Sequence, residues 1–409
     1  MKKYIFFVVG VMCTLLSHTA YAIDLNKSDA NIIGHVLEKK TGEHLPYMTV
    51  ALKGTTIGTM TDGTGHYFLK NLPEGEFILS VSAVGYKPQE RKVTLKRGKT
   101  LEENFELEED MVALDGVVVT ANRNETARRL APTLVKVVTP KLFDMTNSHT
   151  LSQGLVFQPG VRVENDCQNC GYSQVRINGM DGKYTQILID SRPIFSALAG
   201  VYGLEQIPAN MIERVEVVRG GGSALFGSSA IAGTVNIITK EPLRNSGSFA
   251  HSISNFDGSG SFDNNTTLNL SLVSSDNKMG AYIYGQNRHR SEWDSNGDSF
   301  SELPKLKNQT VGVNAYYRLS PYSKLNLEYH HMEEFRRGGN RFDLPPHIAE
   351  DANLNGSGEP GLVEQIEHSI NTGGLKFSAF SKDQKHAFNA YASAQHIVRD
   401  SYYSAYGHT

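Results

Sequence analysis

From Lys240 onward the sequence alternates polar and apolar residues over long runs, and this limits the fold more than any other feature. Leu325, Leu327 and Tyr329 fall on one face of such a run while Asn326, Glu328 and His330 fall on the other, as strand side chains do. Strands are predicted near 248–255, 265–273, 279–288, 309–319, 323–333, 366–380 and 386–398. Their connections alternate as well: those near 274–278, 320–322 and 381–385 are tight, and those near 289–308 and 334–365 are long. Short periplasmic turns and long extracellular loops are the rhythm of an outer-membrane β-barrel. Low hydropathy fits, because only alternate residues of such strands face lipid. The one long apolar stretch, Tyr4 to Leu16, is shorter than the ~20 residues a helix needs to cross a bilayer.

That stretch reads instead as part of a secretion signal over 1–22. Lys2 and Lys3 supply the positive end and Ala20-Tyr21-Ala22 the small-x-small cleavage site, so the mature chain is expected to start at Ile23. Cys13 lies inside the apolar run after Val11-Met12, without the small residues of a lipid-attachment site. Cys167 and Cys170 remain, in an oxidising compartment. With 40 Lys+Arg against 43 Asp+Glu, nothing electrostatic favours nucleic acid as a partner, and that class is excluded.

Residues 28–108 read as a small β-sandwich, with β-prone runs at Ile32 to Leu37, Met48 to Leu52, His66 to Leu69, Phe77 to Val84, Arg91 to Leu95 and Leu101 to Leu107. Thr61-Asp62-Gly63-Thr64-Gly65 and Pro73-Glu74-Gly75-Glu76 are the turns between them. The series Gly34-His35-Val36, Leu45-Pro46-Tyr47, Val50-Ala51-Leu52-Lys53-Gly54-Thr55, Gly58-Thr59-Met60-Thr61-Asp62-Gly63, Gly65-His66-Tyr67-Phe68-Leu69 and Ser82-Ala83-Val84-Gly85-Tyr86 resembles the carboxypeptidase-regulatory-like domain. The resemblance implies a non-catalytic unit.

A polar, acidic stretch from Glu102 to Asp110 leads into residues 112–121, where Leu114-Asp115-Gly116-Val117-Val118-Val119-Thr120-Ala121 forms a short β-branched run. Such a run can be added as a strand to a partner's sheet, or it can open the next domain. Residues 122–242 have α+β character, with β runs at Gln174 to Asn178, Thr185 to Asp190 and Ile212 to Val218 and short helices near His149 to Val156 and Pro208 to Met211. Three motifs lie there in order: Val175-Arg176-Ile177-Asn178-Gly179-Met180-Asp181-Gly182, then Ile187-Leu188-Ile189-Asp190-Ser191-Arg192-Pro193, then the continuous stretch from Ile212 to Lys240. Together they resemble the plug domain of TonB-dependent outer-membrane receptors. Gly221 stands where that family usually has proline after Arg-Gly, which should loosen one turn.

The resemblance implies a mainly β protein: an N-terminal β-sandwich, an α+β plug, then a transmembrane antiparallel β-barrel over 243–409. Seven strands in about 170 residues imply roughly 500 residues for the ~22 strands of a plugged transporter. An eight-stranded barrel is filled by its own side chains and cannot house a plug. The sequence is therefore read as a fragment covering the first third of the barrel. By resemblance, Leu114, Asp115, Val117, Val118, Val119, Thr120 and Ala121 stand where the family carries its TonB box. Glu213, Arg214, Glu216 and Arg219 resemble the ion-pairing residues that lock plug to barrel wall, and Tyr172, Ser196, Leu198, Val201 and Tyr202 lie in loops that face the substrate cavity. The implied partners are TonB with its ExbB/ExbD energy complex, outer-membrane lipid, a small metal-chelate ligand and, as a further candidate, a surface lipoprotein. The expected ligand is cobalamin, haem or a ferric siderophore, with cobalamin first because neither plug loop offers a histidine. Alternatives are an oligosaccharide or peptide importer of the starch-utilisation type and a non-transporting signalling receptor. Val119-Thr120-Ala121-Asn122-Arg123 departs from the Val-Val-Val-Val-Gly-Tyr-Gly that typically follows the box in the starch-utilisation type.

Other patterns point to weaker chemistry. Cys167-Gln168-Asn169-Cys170 has metal-ligand spacing but no second pair to complete a zinc site, and Gly171 in place of histidine excludes haem attachment. A local disulfide is expected, shaping the loop from Glu164 to Tyr172. His331 and Glu334 imitate a zinc-peptidase motif, but residues three apart on a strand lie on opposite faces. No Gly-x-Ser-x-Gly elbow or Walker loop occurs, and no enzymatic activity is expected. Asp294-x-Asn296-x-Asp298 with Glu302, and Asp351-x-Asn353-x-Asn355, imitate the first half of a calcium loop without its twelfth-position glutamate. Calcium in these outer loops, at Asp294, Asp298 and Asp351, is the one cofactor considered.

Overall fold

The computed structural model describes residues 29–83, 86–109, 118–119, 126–127, 135–146, 148–167, 172–193, 207–221, 226–227, 229–351, 353–354, 356, 360–381 and 386–404. The leader lies outside them.

Eight strands build the N-terminal sandwich: β1 (Ala30–Glu38), β2 (Thr49–Leu52), β3 (Gly58–Met60), β4 (His66–Leu72), β5 (Gly75–Ser82), β6 (Gln89–Leu95), β7 (Thr100–Glu102) and β8 (Phe105–Leu107). One sheet runs β4-β1-β7 with β8 also on β1, and the other runs β3-β2-β5-β6. Alternate residues such as Ile32, Val36, Leu69, Leu79, Val81 and Phe105 close the core between them. The single strand expected over Leu101–Leu107 is divided in two. At the break Asn104 accepts a hydrogen bond from the His35 amide through its side chain (3.0 Å), and the Tyr67 hydroxyl donates to the Glu103 carbonyl (2.6 Å). Side chains thus take over where the ladder on β1 lapses.

Beyond the sandwich, β9 (Val118–Val119) pairs antiparallel with β10 (Thr126–Ala127). Leu114, Asp115, Val117, Thr120 and Ala121 lie outside the described residues. The next unit comprises β11 (Val135–Val138), α1 (Pro140–Met145), α2 (Leu151–Leu155), β12 (Val161–Cys167), β13 (Tyr172–Ile177), β14 (Thr185–Ile189), β15 (Arg192–Pro193), β16 (Ile212–Arg219) and β17 (Gly233–Thr239). Its five-stranded sheet has the order β11-β16-β17-β14-β15, and β12 and β13 form a separate hairpin. The short helices expected near 149–156 and 208–211 appear as α2 and a 3-10 turn at Ala209–Met211. Gln153 fixes the start of α2 by accepting from the amides of His149 (2.7 Å) and Thr150 (3.3 Å).

Seven antiparallel strands follow in sequence order: β18 (Ser246–Asn255), β19 (Phe262–Val273), β20 (Met279–Arg290), β21 (Lys305–Ser320), β22 (Ser323–Gly339), β23 (Val363–Phe380) and β24 (Ala387–Tyr403). Each corresponds to a strand expected from alternation, and β21, β22, β23 and β24 run further than expected toward the long loops. Leu268, Leu270, Leu272, Val311, Leu327 and Leu375 are exposed on the outer face, while Asn265, Gln286, Asn308, Asn314, His330 and Thr372 are buried on the inner one. Apolar outside and polar inside is the pattern of a membrane barrel wall. The sheet is open, with β18 and β24 at its edges.

The sandwich docks on the tight-turn end of this sheet. Thr56 donates its amide to the Pro321 carbonyl (2.9 Å), and Arg318 Nε donates to the Thr56 carbonyl (2.9 Å). Tyr322 packs against the sandwich core, and the Arg244 guanidinium lies over the Tyr47 ring at 4.6 Å.

Candidate functional site

The α+β unit and the seven-stranded wall share one core. Tyr282 and Tyr284, two apart on β20 and so on one face, are buried among Ile189, Met211, Ile212 and Ile237 of the α+β unit. Tyr284 stands opposite Gly312 in the β20–β21 register. A Cβ on Gly312 would collide with the tyrosine ring, so glycine lets the ring lie flat across the neighbouring strand. The Tyr282 hydroxyl donates to the Asn210 carbonyl (2.8 Å), and Asn210 Nδ2 donates to Asn269 Oδ1 (2.9 Å) and the Gly285 carbonyl (3.3 Å).

A second set of contacts grows from the turn between β14 and β15. Asp190 and Ser191 have φ of 46° and 66°, the conformation of a tight hairpin turn. Thr239 locks it, donating its amide and hydroxyl to the Asp190 carboxylate (3.1 and 2.7 Å), and Asn236 accepts from the Ser191 amide (2.9 Å). Asn314 on the wall in turn donates to the Thr239 hydroxyl (3.0 Å). The locked turn aims Arg192 at Glu328 on β22, and the two form an ion pair in the space left beside Gly374.

Two more contacts complete the seam. Lys324 pairs with Glu241 (3.1 Å), and its ammonium holds that carboxyl below the usual carboxylate range. His149 Nε2 lies 3.1 Å from the Ser252 hydroxyl on β18, and the Gln286 amide donates to the His149 carbonyl (3.4 Å). Burial, aided by the Arg288 charge, lowers the His149 pKa.

The sequence put the seam's ion pairs on Glu213, Arg214, Glu216 and Arg219. Arg214 pairs with Glu216 (3.0 Å) along one strand, because residues two apart share a face, and a Cβ on Gly160 would meet the Arg219 guanidinium. Among the described residues, Arg192 with Glu328 and Glu241 with Lys324 are ion pairs that cross the seam. Arg192 stood inside a motif noted for resemblance, but nothing local in the sequence announces a partner on β22.

Other candidates distribute as follows. Cys167 ends β12 opposite Tyr172, the first residue of β13, while Cys170, Ser196, Leu198, Val201 and Tyr202 lie outside the described residues. Asp294, Asp298 and Glu302 come together in the outer loop, with carboxylate oxygens within 4.8 Å of one another. All three already accept backbone amides, from Gly297 and Ser299, from Phe300, and from Ser295. Asp351 lies in the other loop and accepts from the Asn353 amide (2.8 Å). On β22, Glu334 is buried and pairs with Arg336 (3.2 Å), whereas His331 lies near Glu333 (3.4 Å), so His331 and Glu334 do occupy opposite faces.

An α+β unit held by a shared core and polar locks against the inner face of a transmembrane-type wall is the arrangement of a plug seated on part of a β-barrel. Residues 127–234 match the TonB-dependent receptor plug domain, and residues 32–119 match the carboxypeptidase-regulatory-like domain. These two matches in this order support a TonB-dependent receptor. It is 35% identical over 176 residues to the vitamin B12 transporter BtuB of Vibrio vulnificus (strain YJ016), covering 41% of this chain and 28% of that protein. To the vitamin B12 transporter BtuB of Photobacterium profundum it is 37% identical over 128 residues, covering 31% of this chain and 20% of that protein. The chain thus spans less than a third of the length of these relatives. In fold it resembles the ferric citrate transporter FecA in its unliganded form, with a TM-score of 0.57 at 16% identity over 72% of this chain and 44% of the other. The siderophore receptor PiuA of Acinetobacter baumannii gives a TM-score of 0.51 at 16% identity, over 71% of this chain and 40% of the other.

Proposed function

We propose that the protein imports a small metal chelate across the outer membrane of a Gram-negative bacterium, driven by TonB. The observation that carries this reading is the plug seated on the wall through Tyr282, Tyr284 and the Arg192–Glu328 pair. A channel blocked by a separately folded domain needs work done on that domain before a ligand can pass. The segment around Val118 and Val119, between sandwich and plug, is where TonB would add a strand and pull. Energy for the pull comes from the ExbB/ExbD complex, and the sandwich would lie on the periplasmic side.

Within the chelates we place cobalamin first. The named relatives with the higher identity are vitamin B12 transporters, and small residues around Tyr202 in the second plug loop suit a rigid, bulky ligand. The test is equilibrium binding of labelled cyanocobalamin, haemin and a ferric siderophore to cells expressing the complete receptor, with and without calcium. Tight binding of one chelate is the expected outcome. Tight binding of a maltooligosaccharide and of none of the three would overturn the assignment in favour of a saccharide importer.

A further inference from the structure

Two glycines leave room on the inner face of the wall. Tyr284 on β20, Gly312 on β21 and His330 on β22 are successive cross-strand partners and form one row. The next row toward the tight turns holds Tyr282, Asn314, Glu328 and Gly374. Adjacent strands lie about 4.8 Å apart, so a tyrosine ring laid over Gly312 carries its hydroxyl toward the His330 side chain. The Tyr284 hydroxyl does occupy the space where a Gly312 Cβ would stand. Glu328, in the same way, fills the space beside Gly374 while pairing with Arg192 of the plug.

A cavity of about 10 Å³ lies at this point of the seam, lined by Tyr284, Glu328 and His330 of the wall and by Met211 and Thr239 of the plug, among others. That volume is near the smallest that accepts a water molecule. Tyr284 is 5% exposed and His330 8%, so both polar tips are cut off from bulk solvent while the plug is seated. Among the described residues neither the Tyr284 hydroxyl nor the His330 imidazole has a hydrogen-bond partner. The Tyr282 hydroxyl in the next row, by contrast, donates to the Asn210 carbonyl (2.8 Å). Buried polar groups are seldom left unsatisfied, and where two of them face one small space without bonding directly, a bridging water satisfies both. Such a water can accept from Tyr284, donate to a ring nitrogen of His330 and give its second proton to the Glu328 carboxylate, the three bonds typical of an internal water.

We propose that this cavity binds one ordered water, held by Tyr284, His330 and Glu328 of the wall and covered by Met211 and Thr239 of the plug. The site keeps a polar row of the wall hydrated under the seated plug. When the plug lifts, bulk water takes over the same bonds, so this part of the seam opens without stranding a buried donor or acceptor. The Arg192–Glu328 pair does not have that property, because parting it separates two charges. The inference rests on the plug being seated against the wall, not on the ligand imported or on TonB.

The experiment is a crystal structure of the complete receptor at a resolution that shows ordered water, together with native-state hydrogen exchange in detergent. The expected result is a water within about 3.2 Å of Tyr284 Oη and of a His330 ring nitrogen. Tyr284→Phe keeps the ring and removes only the hydroxyl. Exchange at the amides of 185–189 and 233–239 should then rise about threefold, because the water loses a partner and holds His330 and Glu328 less well. A dry cavity, or a direct bond between Tyr284 and His330, would overturn the site. So would exchange that is unchanged or slower in Tyr284→Phe, since a hydroxyl buried without a partner favours the lifted plug and its removal would tighten the seam.

Discussion

Replacing Arg192 by methionine keeps most of the side chain's length and removes its charge, leaving Glu328 alone on the inner face of the wall. Removing one partner of a fully buried pair costs about 3–5 kcal/mol. This pair is nearly but not fully enclosed, with side-chain exposures of 12% for Arg192 and 17% for Glu328. In addition, Nε and Nη1 of Arg192 have no hydrogen-bond partner among the described residues, so the variant also relieves a desolvation cost. Both considerations lower the figure to about 2 kcal/mol, or roughly a thirtyfold increase in the open population of the plug. Native-state hydrogen exchange on the complete receptor in detergent reads this directly at the amides of 185–189 and 233–239, the strands that carry the locked turn. Combining Arg192→Met with Glu328→Gln should recover about half of the loss, since the stranded charge is then gone. Exchange that rises less than about threefold in the single variant would refute the view that this ion pair locks the plug. So would a double variant no more protected than the single one.

Gly312→Ala should cost about 1–3 kcal/mol by forcing the Tyr284 ring off β21, read as a lower unfolding temperature of the complete receptor; an unchanged temperature would show that the ring can move freely. His149 has a folded pKa below its unfolded one, so the unfolded state binds more protons as pH falls through ~6.5, and stability declines until the folded pKa is passed. Thermal unfolding should therefore show a wild-type loss toward acid that His149→Asn lacks, and identical pH profiles would assign the effect elsewhere. Val118→Pro should abolish uptake while ligand binding to cells persists, because proline removes a backbone donor from an added strand; normal uptake by the variant would move the TonB-binding segment away from Val118.

The strands of the wall were legible because each carries its own signal. Leu325, Leu327 and Tyr329 separate from Asn326, Glu328 and His330 without reference to any other part of the chain, and the tight and long connections could be read in turn. The seam was not legible. Arg192 and Glu328 are distant in sequence, and their meeting depends on how a hairpin turn locked by Thr239 and Asn236 is presented to the wall. The charges of β16 are conspicuous in the sequence, yet Arg214 and Glu216 also pair with each other along the strand. Likewise, the divided strand at Glu103–Asn104 reflects bonds to Tyr67 and His35 from other strands.

The docking of Thr56 and Arg318 at the Pro321 turn has a mechanical consequence. With the sandwich bonded to one end of the wall and the plug seated inside it, the chain between them is a tether fixed at both ends. Val118 lies nine residues after Glu109, the last bridged residue of the sandwich, and Val135, the first of the plug sheet, lies sixteen after Val119. At ~3.4 Å per extended residue the sandwich arm can reach at most about 30 Å and the plug arm about 55 Å. A pull that carries Val118 about 30 Å from Glu109 would therefore draw the sandwich arm taut. That load would fall on the Thr56–Pro321 bonds, and the sandwich would act as a fuse whenever its arm tightens before the plug's.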